Sequence, residues 1–181
     1  MTCYERIFDE AIGNYGLMTS AEARRIGVPS IELVKLARRG KLRRLGYGVY
    51  KLTQYAPAPA GLDAYADALA LVGAGSYLYG ASVLAVHGLC PTNPARIHVA
   101  TPNRCRRHPG GGIEIKERAP CDDPDWHEGL PLQPVPQAIL AARGTVMDER
   151  LKEAVAAALR KGLIDGKQAK ALGRELDGQT A

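Results

Sequence analysis

The chain has 181 residues and a mass of 19.4 kDa, which leaves room for one domain or two small ones. Its 46% apolar and 24% charged residues match globular averages and exclude a chain that is disordered throughout. The net charge of +5 lies in residues 1–52, which hold ten basic and five acidic side chains, whereas residues 53–181 hold fourteen of each. This partition indicates one module that binds a polyanion and a second with a different role.

The sequence carries no pattern for export or membrane insertion. Glu5, Asp9 and Glu10 lie within the first ten residues and no apolar run follows them, so we expect no secretory signal. The longest stretch without Asp, Glu, Lys or Arg, residues 68–95, is interrupted by glycines and by His87, which favours two packed helices over a membrane span. We therefore expect a cytoplasmic protein that does not contact a membrane.

Cysteines stand at positions 3, 90, 105 and 121, with no Cys-x2-Cys pair. The spacings His87-x2-Cys90 and Cys105-x2-His108 can each supply two ligands to a tetrahedral zinc ion. However, His87 lies in an apolar run, and the loop that holds Cys105 would have to fold back to meet it. We expect reduced, structural cysteines, no metal and no cofactor.

The first third of the chain predicts three helices. The first, near residues 4–13, has apolar residues at helical spacing. Thr19 and Glu22 then form a Thr-x-x-Glu capping box, in which the hydroxyl and the carboxylate satisfy free N–H groups at a helix start. The third helix begins near Ser30, and Gly40 closes it in the left-handed capping position.

The basic segment that follows, KLRRLGYGVYKL, alternates apolar and polar residues in the manner of strands. Gly46, Tyr47 and Gly48 predict a tight hairpin turn within it. Three helices followed by a short hairpin are typical of a winged helix-turn-helix, and we predict this domain for residues 1–53. Residues 54–61, QYAPAPAG, have no helix or strand pattern and predict a semi-stiff linker.

Residues 62–181 predict a second domain in which helices and strands alternate. Helices are expected near residues 62–72, 81–87, 136–142 and 148–161, with a short helix at the end. Two strand-like runs, ARIHVATP and GIEIKERA, are joined by an arginine-rich loop, and GLPLQPV is a candidate third strand. The predicted class is α+β: an N-terminal winged helix-turn-helix followed by a small mixed α/β domain of two or three strands flanked by helices.

The basic face of the first module predicts a DNA interface. A helix can enter the major groove when its exposed face carries donors near its N-terminus and flanking cations that hold phosphates. Ser30 and Lys35 lie where base edges would be met, and the N-terminus of the preceding helix can receive a phosphate. The predicted DNA-binding residues are Thr19, Ser20, Ser30, Lys35, Arg38, Arg39, Lys41, Arg43, Arg44 and Tyr47. The alternative is a solvated basic face on a protein-binding adaptor.

Glu32 is the discordant acid of the third helix: it accepts a hydrogen bond from a cytosine amine, or it repels DNA and sets selectivity. A second cationic cluster lies in the loop NRCRRHPGG, where the arginines are either solvated or contact nucleic acid or an acidic partner. This possible second contact consists of Arg104, Arg106 and Arg107.

Patterns for catalysis are missing from the sequence. The glycines at residues 110–112 lack the following Gly-Lys-Ser/Thr of a phosphate loop and predict a hairpin turn. Asp122, Asp123 and Asp125 lie near His127 in CDDPDWHEG, a stretch that predicts a loop with no rigid element to hold a metal. Because the sequence also contains no Gly-x-Ser-x-Gly, no His-Glu-x-x-His and no paired Cys/His nucleophile, we expect no enzyme.

Several sequence blocks in a fixed order carry a family resemblance. GLMTSAEARRIGVPSIELVKLARRGKLRRLGYGVYKL is similar to the N-terminal winged helix of the AbiEi-type antitoxins of bacterial type IV toxin–antitoxin systems. GASVLAVHGL, ARIHVATPNRCRR and GLPLQPVPQAILAA resemble successive blocks of the antitoxin domain of that family. The resemblance extends over about residues 4–172.

The resemblance implies two activities. The winged helix would bind repeats in double-stranded DNA of its own promoter and repress the operon, and the second domain would neutralise a nucleotidyltransferase-like toxin encoded nearby. Carried over by position, the DNA-facing residues are Ser30, Lys35, Arg38, Arg39, Lys41, Arg43 and Arg44. A monomer in solution and a dimer on DNA are both compatible with this role. The alternatives are a solitary winged-helix regulator with a ligand-sensing or oligomerising domain, and a nucleic-acid-processing enzyme or nuclease remnant.

Overall fold

The computed structural model describes residues 2–57, 61–92, 94–106 and 109–178. The chain forms two compact units. The first runs to Ala74 and includes Arg106 and Pro109, and the second comprises Gly75–Cys105 and the residues from Gly110 onward. Each unit combines helices with a small sheet, which confirms the predicted α+β class.

The first unit is a winged helix-turn-helix followed by a further helix. Its antiparallel sheet has the strand order β1-β3-β2, so that β3 is the central strand. The elements are α1 (Cys3–Ile12), β1 (Leu17–Thr19), α2 (Ser20–Arg25), α3 (Ser30–Arg38), β2 (Leu42–Gly46), β3 (Val49–Leu52) and α4 (Asp63–Val72). The predicted helices and the hairpin are confirmed. Strand β1 was not predicted, because three residues are too few to show a strand period.

Local chemistry explains where the helices of this unit begin and end. The Thr19 hydroxyl accepts from the Glu22 N–H at 3.2 Å, and the Glu22 carboxylate accepts from the Thr19 N–H at 2.7 Å. This reciprocal pair is the predicted capping box, and it starts α2 directly after β1. Gly40 follows α3 with φ of +73°, the left-handed conformation that favours glycine after a helix.

A single apolar cluster holds α1, α3 and the sheet together. Ile7 from α1, Met18 from β1 and Leu33 from α3 are fully buried in it, and Tyr50 from β3 joins them. Tyr55, in the predicted linker, packs against the same cluster. Because Leu33 points inward, the opposite face of α3 is turned to solvent, and this phase decides which side chains α3 can offer to a ligand.

Helix α4 belongs to the first compact unit, although the predicted boundary at residue 62 places it in the second domain. The domain boundaries stay a prediction. Residues 58–60 of the predicted linker lie outside the described residues.

The second unit contains a mixed sheet that, in the described residues, has five strands rather than the predicted two or three. The strand order is β6-β5-β4-β8-β7. The elements are β4 (Tyr77–Leu78), α5 (Ala81–Val86), β5 (Ile97–Ala100), β6 (Ile113–Lys116), β7 (Asp125–His127), β8 (Leu130–Leu132), α6 (Val135–Ala141), α7 (Asp148–Arg160) and α8 (Gly166–Asp177). The predicted helices and the three candidate strands are present, whereas β4 and β7 were missed because they are only two and three residues long. No helix in the described part of the chain is both long enough and apolar enough to cross a membrane.

Two predictions for the second unit were wrong. Strands β5 and β6 are parallel, with Ile97 opposite Ile113, so the glycines at residues 110–112 do not form a hairpin turn between them. Parallel neighbours need a crossover connection, which the long arginine-rich loop supplies. Within the stretch CDDPDWHEG, predicted as a loop, Asp125–His127 form β7, which pairs with β8 in an antiparallel hairpin. Its turn contains Glu128 and Gly129, which both have positive φ.

Candidate nucleic-acid interface

Helix α3 has one exposed ridge, and the residues buried on its other side determine which side chains lie on that ridge. Leu33 and Leu36 face the core. Ile31, Lys35 and Arg38 are spaced by four and then three residues, so they share the opposite face, and all three are exposed. Because a recognition helix contacts base edges through residues near its N-terminus, this ridge is the surface that a duplex would meet.

Lys35 does not stand alone on that ridge. Its ammonium lies 2.7 Å from the Glu32 carboxylate, one turn earlier on the same helix. Such surface ion pairs are worth only about 0–1 kcal/mol, so DNA phosphates or bases can replace Glu32 as the partner of Lys35 at small cost. Glu32, discordant in the sequence, is therefore the resting partner of a predicted base-contacting residue.

The predicted phosphate contacts continue from the end of α3 into the wing. Lys41 lies 5.7 Å from the centre of the Tyr4 ring, and Arg44 donates from Nε to the Gly46 carbonyl at 3.2 Å, where the strand register shifts. Strand β2 lies at the edge of the sheet. This position explains why it carries two adjacent exposed arginines and not a strict alternation of buried and exposed residues. The exposed cations of α3 and the wing are Lys35, Arg38, Arg39, Lys41, Arg43 and Arg44.

Thr19, Ser20 and Tyr47 lie at the junction between α2 and the wing. The Ser20 N–H donates to the Gly48 carbonyl at 2.8 Å, and the Thr19 N–H is occupied by the capping box. Two backbone donors at the start of α2 are therefore already used within the protein. Tyr47 projects from the wing tip with most of its side chain exposed. Contact of these residues with DNA stays a prediction, and for Thr19 and Ser20 it depends on the side chains.

The second cationic cluster is only partly described. Arg104 and Arg106 are exposed, and Arg107 lies outside the described residues. Between the first two, the Cys105 N–H donates to the Glu117 carboxylate at 2.9 Å. A role for these arginines in binding nucleic acid or an acidic partner stays a prediction.

One basic residue of the first module turned out to be internal. Lys51 is only 7% exposed, and its ammonium lies 3.1 Å from Asp63 and 2.7 Å from Asp67, both on α4. It also lies 5.7 Å from the centre of the Tyr55 ring. Lys51 therefore neutralises carboxylates inside the first unit and is unavailable to a polyanion. Asp63 and Asp67 are four residues apart and share one face of α4, so one cation can meet both.

A polar group formed by a residue directly after β4 and residues of β5 and β6 was also missed. The Tyr79 hydroxyl donates to the Glu114 carboxylate at 3.3 Å, and the Tyr79 ring lies 5.3 Å from the buried His98 ring. Burial, together with the Glu114 charge, raises the pKa of Tyr79 to about 12. The phenol is therefore held protonated and acts as a hydrogen-bond donor. The residues involved are far apart in the sequence, so no sequence motif indicated this group.

The rings of His87 and His127 lie 4.8 Å apart in the second unit. Burial lowers the pKa of His87 below its usual value, and the neighbouring His127 and the Lys161 ammonium lower it further. Burial also raises the pKa of the Cys90 thiol. Within the described residues, no group of three or more His, Cys, Asp or Glu side chains is arranged to hold a metal. His108, one of the zinc ligands considered from spacing, lies outside those residues.

The exposed ridge of α3 and the basic wing lie within a segment that matches a known family. Residues 5–53 match the family described as transcriptional regulator, AbiEi antitoxin. Over this N-terminal stretch, the chain is therefore similar to the AbiEi antitoxin family. This confirms the resemblance for that region and supports a role for the chain in DNA binding, transcription regulation and a toxin–antitoxin system. The AbiEi family is a family of regulatory antitoxins and not one of enzymes.

Comparison over the whole chain adds little to the AbiEi assignment. No curated protein matches the sequence. Among solved structures, the chain is similar to the RV2827C protein from Mycobacterium tuberculosis, with 16% identity and a TM-score of 0.41. That similarity covers 95% of this chain and 80% of the other.

Proposed function

We propose that this protein is an autorepressor and antitoxin of the AbiEi type. Its winged helix binds repeats in double-stranded DNA of its own promoter, and its second domain neutralises a nucleotidyltransferase-like toxin encoded nearby, with both activities in the cytoplasm. The observation that carries the DNA-binding half is the continuous row of exposed cations on α3 and the wing, on a helix whose opposite face is buried.

The predicted DNA-binding side chains divide by chemistry into two roles. Ser30 and Lys35, near the start and middle of α3, are placed for base edges in the major groove. Thr19, Ser20 and Tyr47 flank this surface. The remaining cations, which serve as phosphate contacts and fix the register of the protein on the duplex, are Arg38, Arg39, Lys41, Arg43 and Arg44.

Salt dependence tests the DNA-binding half directly. With about five or six phosphate contacts per monomer, the log–log slope of affinity against salt should be near −5, measured by fluorescence anisotropy on a promoter duplex. Arg38→Gln should reduce that slope by about 0.9, because one counterion-releasing contact is lost. Lys167→Gln, an exposed cation of α8 with the same change in net charge, serves as the matched control and should leave the slope unchanged.

Affinity that is equally tight at high and low salt would contradict the phosphate-contact assignment. An equal fall in slope for Arg38→Gln and Lys167→Gln would show that net charge, rather than position on α3, governs binding.

Co-expression with the neighbouring gene tests the antitoxin half. If the neighbour encodes a nucleotidyltransferase-like toxin, expression of the intact chain should restore growth. Replacing Arg104, Arg106 and Arg107 together with Glu should weaken either this rescue or DNA affinity. If both assays are unchanged, the arginine loop is merely solvated. If no toxin is encoded nearby, the antitoxin half of the proposal fails while the DNA-binding half stands.

A further inference from the structure

Ile31 breaks the polar character of the α3 ridge. It is the second residue of the helix, it is 56% exposed, and it lies on the face opposite the core. Its exposure follows from the phase of the helix, since Leu33 and Leu36 occupy the buried face. It therefore cannot turn inward without rotating α3 out of the core.

Exposure of one isoleucine does not identify a binding residue, because single apolar side chains are common on protein surfaces. Ile12, at the end of α1, is 53% exposed in the same unit and serves as a comparison. What separates Ile31 from Ile12 is its setting. Lys35 and Arg38 follow it by four and seven residues on the same face, so any partner that covers Ile31 also meets two cations, one of them paired with Glu32.

The major groove of DNA meets both requirements. Its floor carries one apolar feature, the C5-methyl group of thymine, and its rims are lined by phosphates. Residues in the first turn of a recognition helix reach that floor, while cations further along the helix reach base edges or the phosphates at the rims. A β-branched side chain such as isoleucine also has few rotamers to lose when it becomes buried.

We propose that Ile31 is a specificity-determining residue that packs against the methyl group of a thymine in the operator. This inference rests on the proposed DNA-binding function and adds a chemical class of base contact to it. Specificity from Ile31 comes from apolar contact, so it should be nearly independent of salt, unlike the contribution of the arginines.

Replacement of thymine by deoxyuridine tests the contact, because it removes the methyl group and leaves base pairing unchanged. Anisotropy titrations of the full chain are performed on promoter duplexes in which each thymine is replaced in turn. For the natural sequence, one or two positions should lose affinity about four-fold, the factor that corresponds to exposing one buried methyl group. With Ile31→Ala, the same replacements should have no effect, while the salt slope stays near −5.

Ile12→Ala is the matched control: it removes an equally exposed isoleucine and should preserve the sensitivity to deoxyuridine. Circular dichroism checks that both variants keep the helical content of the natural chain. Ile31 is not a thymine contact if no position responds to deoxyuridine, or if the response is the same with Ile31→Ala. In either case a steep salt slope would leave the proposed DNA binding intact, whereas failure of the natural chain to bind any duplex would overturn both.

Discussion

Loss of the Lys51 charge should destabilise the first unit strongly. The Lys51 side chain is 9% exposed, and its two carboxylate partners on α4, Asp63 and Asp67, are 18% and 24% exposed. Lys51→Met keeps most of the buried alkyl chain and removes the ammonium. The two carboxylates then remain one helical turn apart, partly buried, without the cation that offset their repulsion.

The magnitude follows from this burial. Removing one partner of a fully buried ion pair costs about 3–5 kcal/mol, and the partial exposure of the aspartates lowers the expected loss to about 2–3 kcal/mol. Such a loss is a large share of the about 5–15 kcal/mol that stabilises an ordinary domain. Urea unfolding followed by circular dichroism measures it for four proteins: the natural chain, Lys51→Met, Asp63→Asn with Asp67→Asn, and all three changes together.

Coupling among the charges distinguishes this explanation from a simple packing defect. Lys51→Met and the double aspartate variant should each lose stability, because each leaves a buried charge unpaired. The triple variant should recover most of the loss, because no unpaired charge remains. Loss of less than about 0.5 kcal/mol in Lys51→Met, or additive losses in the triple variant, would refute the reasoning. The same pairing predicts that a fragment of residues 1–53 is less stable than one of residues 1–74.

Three further predictions test other parts of the structure. Since burial lowers the pKa of His87, the unfolded chain binds a proton below about pH 6.5 that the folded chain resists, so stability should fall from pH 7 to pH 5. His87→Gln should flatten this dependence in urea unfolding; an unchanged dependence contradicts the assignment. Gly16→Ala should cost about 1–3 kcal/mol in thermal unfolding, because φ is +71° and the new Cβ would lie 2.5 Å from the Tyr55 ring. Adding Tyr55→Ala should recover the part of the loss that comes from the close contact with the ring. A Gly16→Ala variant as stable as the natural chain would refute the prediction. Glu32→Gln should tighten DNA binding about five-fold at low salt by removing a charge that competes with DNA for Lys35. Weaker binding would instead assign Glu32 a base contact.

The local elements of the winged helix could be predicted because their signals lie within a few residues of one another. The capping pair Thr19 and Glu22, the closing glycine Gly40 and the turn around Tyr47 act on the backbone next to them, and the structure confirms each of them. The segment that matches the AbiEi family, residues 5–53, contains these same local elements. Sequence also identified the cations of α3 and the wing as a group, since charge density needs no tertiary information.

Strand pairing and the environment of individual side chains were decided only by the tertiary structure. Strands of two or three residues, such as β4 and β7, are too short for a period, and the parallel pairing of β5 with β6 joins segments separated by a crossover. Lys51 has the same chemistry as the exposed cations near it. It became internal because it lies on the central strand and meets Asp63 and Asp67, which are 12 and 16 residues away in the chain. Composition and spacing thus determined which residue types the first module offers, while packing determined which of them face a partner, because burial depends on contacts between segments that are distant in sequence.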